Sequence, residues 1–169
     1  MYHLTFPSPQ GYLDVAEEDN KIVRLQWISD KNLYEQSSTT LLLKCKKQLK
    51  EYFSGERNNF DDIPLAPKGT DFQKNVWQAL YKIPYGKVKT YGDIAHEVKS
   101  VARAVGGACG ANPIPIIIPC HRVIAGNQAL GGFSGGEGGK SKKELLFLEG
   151  YKHFEKNQLE KKQPSLPGL

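Results

Sequence analysis

Between Gly11 and Ser29 the chain reads GYLDVAEEDNKIVRLQWIS, with apolar and polar side chains alternating on both sides of Asp19-Asn20. A period of two marks a half-buried strand and Asp-Asn is turn chemistry, so the stretch predicts two strands around a tight turn. The period lengthens in TTLLLKCKKQLKEYFSG, where Leu42, Cys45, Leu49, Tyr52 and Phe53 recur at three- and four-residue intervals. That predicts a helix closed by Gly55, with Cys45 on its apolar face as core. NNFDDIPLAPKG has two prolines and no period, and reads as the linker between a small α+β unit and a helical unit.

The helical unit opens at Thr70, with Gln73 completing a capping box and Phe72, Val76, Leu80 and Ile83 forming one face up to Pro84. Thr90 with Asp93 caps YGDIAHEV, and Ser100 is read as the cap of VARAVGGACG. The junction EVKS is very tight, and two short helices joined in this way look like a helix-turn-helix. Ser141 with Glu144 is read as the cap of KKELLFLEG, which Gly150 ends. The domain boundaries expected are 1–65 for an N-terminal α/β unit, 66–155 for a mainly helical unit, and 156–169 for a flexible tail.

The second helix of the pair is almost bare: Ala102, Ala104, Gly106, Gly107, Ala108 and Gly110 leave only Arg103 able to reach far. Each glycine costs a helix about 1 kcal/mol relative to alanine, so the bareness needs a reason. Either the small residues allow close approach to a narrow groove with one cation projecting, or they allow tight packing inside the protein. Charge sharpens the first reading. Residues 1–69 hold 9 basic and 10 acidic side chains and residues 70–169 hold 14 and 8, so the whole net +5 lies in the second part. A basic half fits a polyanionic partner or a solvated surface.

With 39% apolar residues the chain can bury a core, and no apolar run approaches the roughly 18 residues of a membrane helix. The N-terminus MYHLTFPSPQ lacks the pattern of a secretory leader, so a soluble cytoplasmic protein is expected, nucleoid-associated or nuclear according to the host. Cys45, Cys109 and Cys120 leave one thiol over after any pairing and show no CxxC spacing, which argues against a disulfide framework or a cysteine-rich zinc site.

In PIPIIIPCHRVI three prolines precede Cys120, and His121 and Arg122 follow it. A cysteine is a nucleophile only as thiolate, which a neighbouring base or cation favours. Adjacent residues of an extended chain point opposite ways, so a reactive Cys–His pair requires the backbone to turn at Cys120; a buried structural thiol is the alternative.

PCHRVI, with RAVGGACGANPIPII before it and GGFSGG after it, resembles the signature of the O6-alkylguanine-DNA alkyltransferases over about residues 70–150. The resemblance implies an α/β chain: a small ribonuclease H-like N-terminal domain, then a mainly helical domain with a winged-helix-like helix-turn-helix. It implies single-turnover repair, in which Cys120 takes the alkyl group from guanine O6 and keeps it as a thioether. His121 matches the water-linked base, Glu149 its orienting carboxylate, Tyr91 the donor to guanine N3 and Asn112 the hinge asparagine. The carbonyls of Cys120 and Val123 and the amide of Ser134 match groups that read the guanine edge, with Phe133 at the pocket rim where several relatives carry tyrosine. Arg103 matches the finger that fills the stack after base flipping; Ala102, Ala104 and Gly106 match positions pressed into the minor groove, and Thr90 and Arg122 are grouped with the DNA contacts.

The partner implied is duplex DNA carrying O6-alkylguanine, bound by a monomer without a cofactor. Zinc-binding relatives use N-terminal Cys and His ligands; that region here offers only His3 and Cys45, so no metal is expected. Lys142 is a loose match to a loop lysine, because EGGKSKKELL is about two residues longer than its counterpart. A damage sensor that flips the base without repairing it is the competing class. Such relatives typically carry tryptophan at the acceptor position, where this chain has Cys120. A transcription factor using the helix pair, as in family members fused to a further metal-bearing domain, would need a longer chain, and a cysteine hydrolase does not explain Arg103, Asn112 and the bare helix together.

Overall fold

A computed structural model describes residues 1–127, 130–131 and 135–151. Phe133, Ser134 and the 156–169 tail lie outside the described residues. Strands β1 (Tyr2–Ser8), β2 (Gly11–Glu18) and β3 (Lys21–Ile28) form an antiparallel meander in that order. Asp19 and Asn20 make the β2–β3 turn at φ 52° and 62°, the left-handed pair that a two-residue hairpin of matching twist requires. The alternation of β2 does not separate core from solvent, because Leu13 to Glu17 are all buried. Leu13 and Val15 are core, whereas the Asp14 carboxylate accepts from the Thr5 hydroxyl at 2.9 Å and lies 2.8 Å from His3 Nδ1. Glu17 accepts from the Thr39 hydroxyl.

Helix α1 (Thr40–Phe53) buries Leu42, Cys45, Leu49 and Tyr52 in the core shared with the sheet, and Thr39 caps it by accepting from the Leu42 amide at 3.1 Å. The stretch after it is not a loose linker. Phe60 and Ile63 are buried, and the Ile22 amide donates to Pro64 O while the Ala66 amide donates to Ile22 O, each at 2.9 Å. The prolines and the missing period reflect a strap pinned along β3. One apolar core therefore runs from Leu25, Tyr52 and Phe60 through Trp77 to Ile114 without a break.

Helix α2 (Asp71–Tyr81) starts with the expected Thr70–Gln73 capping box, and Trp77 Nε1 donates to Ala108 O at 2.8 Å. Strand β4 (Lys89–Thr90) leads into α3 (Tyr91–Glu97), started by the Thr90–Asp93 capping box. Lys99 takes φ 56°, with Ser100 N donating to Ala95 O and Lys99 N to His96 O. This Schellman turn is the tight junction, and it commits Ser100 to ending α3. Helix α4 (Ala102–Gly110) accordingly has Val101 at its N-cap with no side-chain cap, which corrects the Ser100 reading.

A 3-10 turn (Cys120–Arg122) leads into β5 (Val123–Ile124), which pairs in parallel with β4. Helix α5 (Gly139–Leu148) is preceded by Gly138 at φ 65°. Ser141 sits inside it, accepting from the Glu137 amide at 2.7 Å, so the Ser141 cap is also corrected. Among the described residues no helix is long and apolar enough to cross a membrane.

Phe60 distinguishes a packed strap from a linker. Phe60→Ala is expected to cost about 3–5 kcal/mol in urea denaturation, as for a buried aromatic; a loss within about 0.5 kcal/mol, as for surface changes, would contradict the packing.

Candidate functional site

The segment before the thiol is rigid for reasons visible atom by atom. Asn112 Oδ1 accepts from the Ile114 amide at 3.0 Å and its Nδ2 donates to Ile118 O at 2.8 Å, so one side chain ties both ends of the proline-rich stretch. Ile118 N donates to Ile114 O at 2.9 Å, and the Leu25 amide of β3 donates to Pro113 O at 2.9 Å. The chain then turns: Cys120 N donates to Ile118 O and Arg122 N to Pro119 O, and the 3-10 geometry sends Cys120, His121 and Arg122 in different directions.

Cys120 is buried, and burial pushes its thiol pKa up, against smaller opposing effects from the Asn112 amide and the Lys142 ammonium. At neutral pH it rests as a thiol and needs a base. Behind it His121 and Glu149 are fully packed, with Nε2 2.6 Å from Oε2. Glu149 stands at the C-cap of α5, where Gly150 at φ 89° closes a Schellman turn through Gly150 N to Phe147 O and Tyr151 N to Leu146 O. A carboxylate there opposes the helix dipole, so it needs strong donors.

It has them. Arg122 Nε donates to Oε1 at 2.8 Å and Nη2 to Oε2 at 3.1 Å, the Tyr52 hydroxyl donates to Oε2 at 2.6 Å, and the Gly86 amide reaches Oε1 at 3.3 Å. Burial alone would raise the Glu149 pKa; His121 and Arg122 more than reverse this and hold it well below the carboxylate range. Burial, only partly offset by Glu149, holds the His121 pKa below its ordinary value. An ionised Glu149 can only accept, so the neutral imidazole carries its proton on Nε2. The lone pair is left on Nδ1, which is buried and has no partner among the described residues.

Arg122, grouped above with the DNA contacts, is instead a buried structural cation. Its third nitrogen, Nη1, donates to Ile83 O at 2.6 Å, and its guanidinium lies 5.8 Å from the Tyr85 ring centroid. Tyr52 was read only as core; no local signal links it to Glu149, 97 positions away.

Across the thiol, Lys142 is buried and donates to Val123 O at 2.6 Å, with the Tyr91 hydroxyl 3.5 Å away. Burial brings Lys142 down to about 8, against the opposing pull of Cys120 and Cys109. Burial also pushes Tyr91 up to about 12, so its hydroxyl stays a proton donor. The Val123 carbonyl, expected to read the guanine edge, accepts from Lys142, and Val123 itself is buried.

Cys120 and Tyr91 open on a cleft of about 1250 Å³, larger than the roughly 300–1,000 Å³ typical of small-molecule sites. Thr90, Tyr91, Ala102, Arg103, Gly106, Cys109, Asn112 and Cys120 all line it, and Arg103 is exposed. Val105 and Ala108 turn inward from α4, so the bare face of the helix borders the cleft. Ala104 is half-buried and is not among the lining residues. Arg24, Gln26 and Trp27 of β3 form part of the wall, a contribution that strand alternation alone did not reveal. Among the described residues no group of three or more His, Cys, Asp or Glu could hold a metal ion.

Residues 1–67 match the family model for the ribonuclease-like domain of 6-O-methylguanine DNA methyltransferase, and residues 71–151 match the model for its DNA binding domain. The chain belongs to the 6-O-methylguanine DNA methyltransferase family. It is 44% identical to the constitutive methylated-DNA–protein-cysteine methyltransferase of Bacillus subtilis strain 168, over 92% of this chain and 99% of that protein. The Haemophilus influenzae methylated-DNA–protein-cysteine methyltransferase is 38% identical over 92% and 90%. Among solved structures, Mycobacterium tuberculosis OGT in complex with DNA superposes with a TM-score of 0.78 at 40% identity, covering 88% of this chain and 92% of that one. The ribonuclease-like and DNA-binding architecture implied by the resemblance is thereby borne out.

Glu149→Gln leaves Arg122 without its anion and is expected to cost about 3–5 kcal/mol at pH 7 by urea denaturation. Because the folded Glu149 pKa lies below its ordinary value of 4.5, its contribution is complete above that pH and is lost as pH falls through the folded value. The gap between wild type and variant should therefore narrow below about pH 4.5. A gap that is small at pH 7, or that widens in acid, would contradict the assigned ionisation.

Proposed function

We propose that this protein is a methylated-DNA–protein-cysteine methyltransferase that repairs O6-alkylguanine in duplex DNA by moving the alkyl group onto Cys120. The observation that carries the reading is a buried cleft thiol beside a histidine whose tautomer leaves Nδ1 as the base. In this reading Nδ1 accepts the thiol proton through a bridging water, as the family resemblance implies, once the damaged base has entered. The thiolate then attacks the alkyl carbon; the S–C bond forms as the C–O6 bond breaks, and the electron pair goes to guanine. Tyr91 supplies a proton to guanine N3 and is reprotonated afterwards, so the net transfer exchanges a thiol proton for an alkyl group. No step regenerates the thiol, and each molecule acts once.

The alkylated atom lies inside the duplex, so the base must be extruded into the cleft. In this reading α4 enters the minor groove with Ala102, Ala104 and Gly106 close to the sugar edges, Thr90 near the backbone, and Arg103 filling the vacated stack. Asn112 holds the thiol segment in place, and the carbonyls of Cys120 and Val123 accept from the guanine edge. Ser134 and Phe133 keep their expected roles of amide donor and pocket rim from the family resemblance alone. All three cysteines are free thiols, in keeping with a reducing cytoplasm.

Intact mass and peptide mapping after incubation with a duplex holding one O6-methylguanine test this directly. One methylene gained on Cys120, saturating at one per protein and abolished in Cys120→Ala, is the expected result. A bound duplex with no mass gain would point to a sensor. Arg103→Ala should slow transfer from duplex far more than from the free base; equal losses would remove the finger role.

A further inference from the structure

Gly135 has no left-handed φ to explain it, unlike Gly131, Gly136 and Gly138, yet a side chain there would overlap Trp27 unless one of the two moved. A methyl group on it would lie 2.8 Å from Cε3 and Cη2 of Trp27 and closer still to Cζ3. At Gly136 a methyl group would meet Trp27 Nε1 at 3.1 Å. The indole of this β3 residue is therefore packed against the Gly135–Gly136 segment, and Trp27, Gly135 and Gly136 line the cleft together with Cys120. Two further contacts brace the same region from the N-terminal sheet. Gln10 Nε2 donates to Ser141 O at 3.0 Å, at the start of α5, and the Leu25 amide donates to Pro113 O at 2.9 Å, on the segment that leads to the thiol. Strand β3 thus touches both sides of the cleft within three residues.

We propose that Trp27 is a positioning residue for alkyl transfer: its indole sets the place of the Gly135–Gly136 wall relative to Cys120, so that the N-terminal unit fixes the width of the base pocket. The inference rests on the function proposed above. Its physical basis is that in-line displacement tolerates little misplacement, with an error of about 1 Å able to cost around a hundredfold in rate.

The test is single-turnover transfer from an O6-methylguanine duplex, read as the rate at saturating duplex and the concentration giving half that rate. Trp27→Ala is expected to lower the saturating rate at least about tenfold while shifting the half-saturating concentration no more than about threefold. Gly135→Ala should be slow as well, because its methyl group meets the indole. The double variant should be no slower than Trp27→Ala alone, since the two residues act through one contact. Should Trp27→Ala fail to fold, Trp27→Phe, which shortens the ring, is expected to restore most of the rate lost in Gly135→Ala. A wild-type saturating rate in Trp27→Ala, losses that multiply in the double variant, or no rescue by Trp27→Phe would overturn the inference. Absence of methylation in the wild type would instead overturn the proposed function.

Discussion

The buried carboxylate of Glu149 is the point on which the site depends. Left alone at the end of a helix in a dry interior it would be among the most costly groups in the protein. It is tolerated because donors reach it from three separate places: Tyr52 from α1, Gly86 from the turn after α2, and the consecutive pair His121 and Arg122 from the turn after the thiol. The same set of bonds that neutralises the charge joins the N-terminal unit, the thiol turn and α5. It also dictates chemistry, because an acceptor-only Glu149 forces the imidazole proton onto Nε2 and aims the basic lone pair from Nδ1. Arg122 makes the arrangement stable: its fork supplies a permanent positive charge that the weakly basic His121 does not.

The stiffness ahead of Cys120 serves the same end. Prolines limit the backbone, the Asn112 amide bonds to residues two and six positions further on, and β3 holds Pro113 from outside. The thiol is thus placed before any substrate arrives, and the ordering cost is met in folding rather than in reaction. Its raised pKa fits this design, since a buried thiol stays protonated until a base takes the proton.

What could be read from the chain was what local chemistry decides. Two capping boxes, the Asp19-Asn20 turn and the apolar face of α1 all stand where the pattern put them, because each depends on residues a few positions apart. Strand β1 is not among the elements predicted from sequence, although Tyr2, Leu4 and Phe6 alternate with more polar positions along it. Ser100 and Ser141 misled because a good capping residue says nothing about competing bonds: one is taken up by the α3 Schellman turn and the other lies inside α5. Arg122 was grouped with the DNA contacts, and only the convergence at Glu149 shows why it is buried. Tyr52 lies on the apolar face of a predicted helix and Trp27 in a predicted strand; their contacts with Glu149 and Gly135 join positions 97 and more than 100 residues apart, beyond any periodicity.

The most direct test of the account is nitrogen-15 NMR of His121 in the intact protein at pH 7. Two resonances in the neutral range are expected, with Nδ1 unprotonated and Nε2 carrying the proton it shares with Glu149. A proton on Nδ1, or on both nitrogens, would contradict it, because the thiol would then have no base beside it.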